Sequence, residues 1–201
     1  MAEGLDSLAI LLLAAGTSTR MRGSDKLLQV VGGQPVLRRQ AQAALATGAS
    51  VVVALPTDRP ARLAALQGLS VQKVRVADAR EGMAASIRAG VAALPEGVAG
   101  VAILPADMPE ITARDLATVL TAFRAHGDRI VRGAAQSGAA GHPVVFPARL
   151  FAALLALKGD QGARQVLRGE DIVSVPLPGT HALTDLDTPE AWAAWLAARQ
   201  P

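Results

Sequence analysis

The sequence predicts an open α/β fold of three layers: a mainly parallel sheet with helices on both faces and a small added β-hairpin. Short runs of aliphatic and β-branched residues recur along the 201-residue chain, and they are near-continuous rather than alternating. That is the pattern of parallel strands covered on both sides. Between them lie stretches with helical spacing of apolar residues, bounded by capping and stop signals.

The first run, Leu8–Leu13, is wholly apolar and reads as a buried strand. A helix is predicted over 35–47, where Pro35 suits a first helical turn and Gly48 a stop. The alternation continues with a strand at 50–55, a helix at 59–66, a strand at 71–76, a helix at 82–93 and a strand at 101–104. Thr112 followed three residues later by Asp115 predicts a capped helix over 112–125, with Gly127 beyond its end. Strands at 130–132 and 143–146 flank a Gly- and Ala-rich middle, Gly133 to Gly141, which breaks the alternation and reads as a hairpin beside the sheet. Helical spacing returns at 147–157 and 162–167, a strand at 172–176, and a last helix at 188–198 with Thr188, Pro189 and Glu190 as N-cap, N1 and N2. No repeat, linker or charge run divides the chain, so residues 1–201 read as a single domain.

Composition excludes several classes of function. With no cysteine there are no disulfides, thiolate nucleophiles or Cys-type zinc sites. The three histidines are dispersed without metal-binding spacing. The pI of about 10.2 suggests a nucleic-acid binder, but the formal net charge is only +3, from 20 basic and 17 acidic residues. Tyrosine is absent and the lysines are Lys26, Lys73 and Lys158 alone, so little titrates below about pH 10.4. The high pI therefore reports missing buffering groups, and no basic stretch interleaved with aromatics exists to bind nucleic acid. The apolar segment Leu8 to Ala15 is far shorter than the ~20 residues that span a bilayer. Glu3 and Asp6 stand where a signal peptide carries base, so no membrane association and a cytoplasmic location are expected.

The segment Leu13 to Pro35, LAAGTSTRMRGSDKLLQVVGGQP, follows the first strand. Gly16 among small residues lets backbone amides approach a ligand, and Arg20 and Lys26 bring two cations to the same loop, a combination suited to a polyphosphate. Neither GxxxxGK[ST] nor GxGxxG occurs there, and a solvated surface loop is the competing reading. Asp107 lies just after an apolar strand, where ligands of open α/β sheets collect. It suits a magnesium ligand or a cap for the helix that follows. Asp185 and Asp187 are two apart, so on an extended segment both project to one side. Asp187 could instead cap the last helix.

At these residues the chain resembles the MobA-like nucleotidyltransferases, the family that includes molybdenum cofactor cytidylyltransferases. The resemblance begins with LAAGxSxRM, KLL and GxP. It continues in order through EGMAASIRAG (81–90), LPADMPEIT (104–112), GHPVVFP (141–147), GDQGAR (159–164) and TDLDTPEAW (184–192), spanning nearly the whole chain. It implies a Rossmann-like nucleotidyltransferase fold and a nucleotide site formed by Leu13, Ala14, Ala15, Gly16, Thr17, Ser18, Arg20, Lys26, Gly82, Met83 and Ser86. Arg20, Lys26 and Asp107 are the catalytic set it implies, with Asp107 and Asp187 or Asp185 as Mg²⁺ ligands. His142, Asp160 and Gly162 fall in the blocks near the acceptor, although His142 could simply hold a strand turn. GDQGAR reads either as the cap of a helix whose N-terminus meets an anion or as a plain turn.

LAAG rather than LAGG resembles the CTP-using branch, so the implied reaction is transfer of CMP from CTP to a phosphorylated small molecule such as molybdopterin. A molybdenum hydroxylase would be the partner receiving the product. A cytidylyltransferase of isoprenoid precursor synthesis, acting on methylerythritol phosphate, shares the fold and a similar opening loop. A non-catalytic molybdopterin-binding accessory protein is the third possibility, and the set Arg20, Lys26, Asp107 and Asp187 argues against it.

Overall fold

The computed structural model describes residues 7–160 and 162–199; Glu3, Asp6 and the Gln161 of GDQGAR lie outside the described residues. The strands are β1 (Leu8–Leu13), β2 (Val30–Val31), β3 (Gln34–Pro35), β4 (Ser50–Pro56), β5 (Gln72–Val76), β6 (Gly100–Pro105), β7 (Ile130–Ala134), β8 (Ala140–Pro147) and β9 (Ile172–Pro176). The helices are α1 (Val36–Leu45), α2 (Pro60–Ala65), α3 (Met83–Ala92), α4 (Ala113–His126), α5 (Phe151–Leu155) and α6 (Pro189–Ala197). Among the described residues no helix is long and apolar enough to cross a membrane.

Seven strands form one sheet in the order β5-β4-β1-β6-β8-β7-β9, and only the pairings of β8 with β6 and β7 are antiparallel. The chain leaves β1 toward β4 and later returns to its other side through β6. A crevice therefore opens at the carboxyl ends of β1 and β6, the place where such sheets bind ligands.

Period-two alternation along β1 divides the core between the two faces. Leu8, Ile10 and Leu12 pack with Leu37 and Ala41 of α1, Leu116 and Leu120 of α4 and Trp192 of α6. Ala9 and Leu11 pack with Ile87 and Val91 of α3 and Leu154 of α5. This is the expected three-layer architecture.

Three details differ from expectation. The segment expected to form a hairpin beside the sheet does form one, but its strands are inserted between β6 and β9, because β8 pairs with β6 along four residues. A separate small hairpin is built by β2 and β3 on the turn Gly32–Gly33, both at positive φ. The helix expected over 147–157 is a 3₁₀ turn followed by the short α5, and 162–167 is a 3₁₀ segment rather than an α-helix.

The segment after β9 runs back along β8, where the His142 amide donates to the Ala182 carbonyl at 2.8 Å. Gly141 makes this approach possible, since a methyl there would overlap the Ala182 carbonyl oxygen. Because the obstacle is backbone, Gly141→Ala is expected to cost about 2 kcal/mol, a fall in Tm of roughly 4–8 °C for a chain of this size in a thermal melt.

Candidate active site

The loop from Ala14 to Leu28 has almost no regular structure of its own and is ordered by one side chain. Arg62 of α2 is fully buried. Its Nε and Nη2 donate to the two carboxylate oxygens of Asp25 at 2.7 and 2.9 Å. Its Nη1 donates to the carbonyls of Ala14 and Gly16 at 2.6 and 2.7 Å, and Nη2 also reaches Ser18 Oγ at 2.9 Å. A planar fork of donors suits this role where an ammonium could not fill it. The contact also explains how Ser18 is held at φ 55°, a backbone conformation that side chains disfavour. Asp25 in turn accepts from the Leu27 amide at 3.0 Å, starting the short 3₁₀ turn that carries Lys26. Arg59 closes the other side, donating to the Thr17 carbonyl at 2.9 Å. Burial works to raise the Asp25 pKa, but Arg62 outweighs it and holds the carboxyl below its ordinary 3.8.

Lys26, thus placed, lies between Asp107, just beyond β6, and Asp187, just before α6. Its Nζ bonds Asp107 Oδ2 and, at 2.6 Å, Asp187 Oδ1. Burial opposes its charge, yet the two carboxylates keep its pKa above the ordinary lysine value. Arg20, largely exposed, holds the other oxygen of Asp187 at 2.6 Å. Neither aspartate caps a helix. Thr112 caps α4 through a reciprocal pair with Asp115, and Thr188 caps α6. Asp185 pairs with neither cation; burial and then the charges of Asp187 and Asp107 push its pKa up.

The segment bearing Asp187 is tied down from two directions. Trp192 Nε1 donates to the Leu186 carbonyl at 3.0 Å. The buried Glu110, three residues beyond Asp107, accepts from Thr180, Thr184 and Trp195 at 2.7–3.0 Å and pairs with Arg199. Trp192 and Trp195, expected as core anchors, are packed edge to face with centroids 5.9 Å apart.

These residues open on a cleft of connected chambers. The first, of about 370 Å³, is lined by Leu13, Ala15, Gly16, Thr17, Lys26, Gly82, Met83, Ser86, Asp107 and Asp160. Nothing stands within 4 Å of where a Gly16 side chain would be, so the loop backbone is open there. At Gly82, φ is 114° and a methyl would overlap the Asp160 carboxylate, so the turn into α3 and the GDQG segment meet only because this residue is glycine. The second chamber, about 270 Å³, contains His142, Asp160 and Gly162, and the third joins Arg20, Lys26 and Asp107 to His142, Asp185 and Asp187.

Most of the expected site residues therefore converge. Ala14 and Ser18 do not line the chambers: the Ala14 backbone bonds Ala54 and Arg62, and the Ser18 hydroxyl is taken by Arg62 and Asp25. Arg20 faces the third chamber and not the first. His142 lies within β8 and not at a turn before a strand. Of the two readings of GDQGAR, the α-helix N-terminus is not realised, since residues 162–167 form a 3₁₀ segment. Sequence reasoning missed Arg80, Arg132 and Arg164 in the chamber walls, and the Arg62–Asp25 pair. Arg80 precedes a quoted block and Arg164 lies inside one, which was a usable signal; Arg62 sits in a short helix with none.

Residues 10–175 match the MobA-like NTP transferase domain. The chain belongs to this family. Similar proteins include the purine catabolism protein PucB of Bacillus subtilis (strain 168), 29% identical over 90% of this chain and 91% of that one. The bifunctional protein GlmU of Leifsonia xyli subsp. xyli is 36% identical over 60% of this chain, but the match spans only about a quarter of GlmU (26%). Among solved structures, Rv0371c from Mycobacterium tuberculosis H37Rv is 25% identical with a TM-score of 0.80, covering 95% of this chain and 98% of that one. Its manganese complex, at 22% identity, also gives 0.80 over 96% and 99%. The MobA-like fold is thus a nucleotidyltransferase fold, and the protein is placed among transferase enzymes.

Arg62→Met is expected to lower stability by about 3–5 kcal/mol, because it strands a buried carboxylate. Asp25 is depressed in the folded protein, so its contribution is present above pH 3.8 and lost as pH falls through the folded value. In the variant the lowering contributions of Arg62 are gone, which moves the Asp25 pKa upward. The Tm difference from wild type should therefore be widest near neutral pH and narrow below about pH 4 in melts across pH.

Proposed function

We propose that the protein transfers CMP from CTP to a phosphorylated acceptor with release of pyrophosphate. The observation that carries this reading is the Lys26 ammonium shared by Asp107 and Asp187 in the wall of the chamber that Gly16 and Thr17 also line. Nucleotidyl transfer asks an enzyme to position two anions and neutralise charge that builds on the leaving pyrophosphate. An oxygen of the acceptor phosphate attacks the α-phosphorus and forms a new P–O bond. The bond from that phosphorus to the bridging oxygen breaks, and its electron pair leaves on pyrophosphate. The attacking oxygen is already ionised, so no side chain must act as nucleophile or base. Lys26 and Arg20 supply fixed positive charge, and the open backbone at Gly16 receives the phosphates.

The carboxylates fit a divalent cation. Burial, and after it the charges of Asp187 and Asp107, hold Asp185 above its ordinary value, and a cation would relieve the like-charge part of that. Among the described residues no three carboxylate or imidazole groups converge to hold a metal alone. Asp107 and Asp187 with phosphate oxygens would meet the needs of Mg²⁺, which takes one or two carboxylates. The manganese complex of Rv0371c supports a divalent ion here. Bound there, it would neutralise triphosphate charge.

CTP is favoured by Ala15, whose buried methyl lines the first chamber and packs with Val52, Ala54 and Ala84, leaving less room than glycine beside the base. Molybdopterin as acceptor and a molybdenum hydroxylase as recipient rest on the resemblance of the motif blocks alone. Thermal shift against CTP, GTP, ATP and UTP is expected to show the largest stabilisation with CTP and Mg²⁺; a preference for GTP overturns the base assignment. Asp107→Ala and Lys26→Ala should each slow pyrophosphate release by about 100-fold or more. Undiminished release in both would sink the site.

A further inference from the structure

The second chamber is lined by two cations that have no ion-pair partner among the described residues, beside one carboxylate, Asp160. Arg132, half-buried on β7, and Arg164, exposed on the 3₁₀ segment, both line it and the third chamber. Neither has a carboxylate partner among the described residues, whereas Lys26 and Arg20 are both paired. The one side-chain hydrogen bond of Arg132 among the described residues runs from Nε to the Gly141 carbonyl, leaving its Nη groups free. Burial, then the Arg164 charge, holds Arg132 below its ordinary value. His142 lines the same two chambers with Nδ1 buried and unpartnered, and burial followed by the Arg132 charge holds its imidazole below its ordinary value. Two like charges without an ion-pair partner, facing one space, are the complement of an anion.

The rest of this chamber is apolar: Ile87, Ile103, Val144 and Phe146 are buried in its wall, and Leu167 adjoins them. Its side-chain polar groups are Arg132, Arg164, His142 and Asp160, with no amide or hydroxyl side chain among the residues lining it. A polyhydroxylated body would leave most of its hydroxyls unpaired there, at a cost of about 1–3 kcal/mol for each group buried unsatisfied. The volume, about 270 Å³, is near the lower end of small-molecule sites at roughly 300–1,000 Å³.

We propose that Arg132 and Arg164 clamp the anionic group of the acceptor, and that the acceptor carries this group on an apolar body rather than on a polyol. The word acceptor rests on the transfer reaction proposed above; the anion site and its selectivity do not. Because both arginines also line the chamber containing Asp107 and Asp187, an anion held by them stands next to the carboxylates assigned to the phosphate chemistry.

Calorimetric titration of the full chain with 1-naphthyl phosphate, glucose 6-phosphate and inorganic phosphate, and separately with CTP and Mg²⁺, tests this. Naphthyl phosphate should bind at least about tenfold tighter than the other two phosphates. Arg132→Gln and Arg164→Gln should each weaken it by about tenfold while CTP affinity stays within about twofold, which also reports folding. Arg164 is exposed, so its variant decides the matter if Arg132→Gln does not fold. The proposal is overturned if glucose 6-phosphate binds as tightly as naphthyl phosphate, or if the variants leave naphthyl phosphate binding unchanged. It is overturned equally if CTP affinity falls as far, since the arginines then belong to the triphosphate site. Wild-type protein that binds naphthyl phosphate through both arginines but ignores CTP would remove the nucleotide reading and leave the clamp standing.

Discussion

The Lys26 ammonium is the charge on which the cleft depends. It joins a loop after β1 to an aspartate 81 residues later and another 161 residues later. Without it, Asp107, itself 6% exposed, would face Asp187 with no compensating charge except the exposed Arg20. Such a pairing is weak evidence for stability, since desolvating three charged groups offsets most of the attraction. Its value lies in placement: it brings a phosphate loop, a strand end and the C-terminal segment into one register. The burial that makes the site costly also strengthens each electrostatic contact made within it.

Two buried charges frame this centre from either side, and both act through backbone. Arg62 ties down the carbonyls of Ala14 and Gly16 and, through Asp25, the turn that presents Lys26. Glu110 gathers Thr180, Thr184, Trp195 and Arg199, so the segment carrying Asp187 is fixed to the loop carrying Asp107. A loop rich in small residues can therefore remain open toward a ligand while its geometry is set from behind. Polar networks of this kind suit a position only when nearly every member is satisfied, and here nearly all are.

How far the sequence could be read follows from the range of each interaction. The strands β1, β4 and β6 were legible because apolar runs report burial directly, the exposed edge strand β5 only through its β-branched residues, and the caps at Thr112 and Thr188 because they act over three residues. The pairing of β8 with β6 was not, since insertion into a sheet is a long-range choice that local pattern does not encode. Lys26, Asp107 and Asp187 could be singled out from motifs, each at the end of an element. Arg62 could not: an arginine in a six-residue helix looks like any solvated charge until the loop folds over it. Ser18 shows the converse, a motif residue whose hydroxyl is consumed within the scaffold.

The distribution of compensated and uncompensated charge separates the two ends of the cleft. Around Lys26, two cations meet three carboxylates, so a bare polyphosphate approaching Asp107, Asp185 and Asp187 gains little until a divalent cation accompanies it. Around Arg132 the cations stand free, and an anion needs no such companion. The +3 net charge and high pI of the whole chain conceal this division. Paired cations at one end of a cleft and unpaired ones at the other can hold two anionic substrates close together, the arrangement that transfer between two phosphates requires.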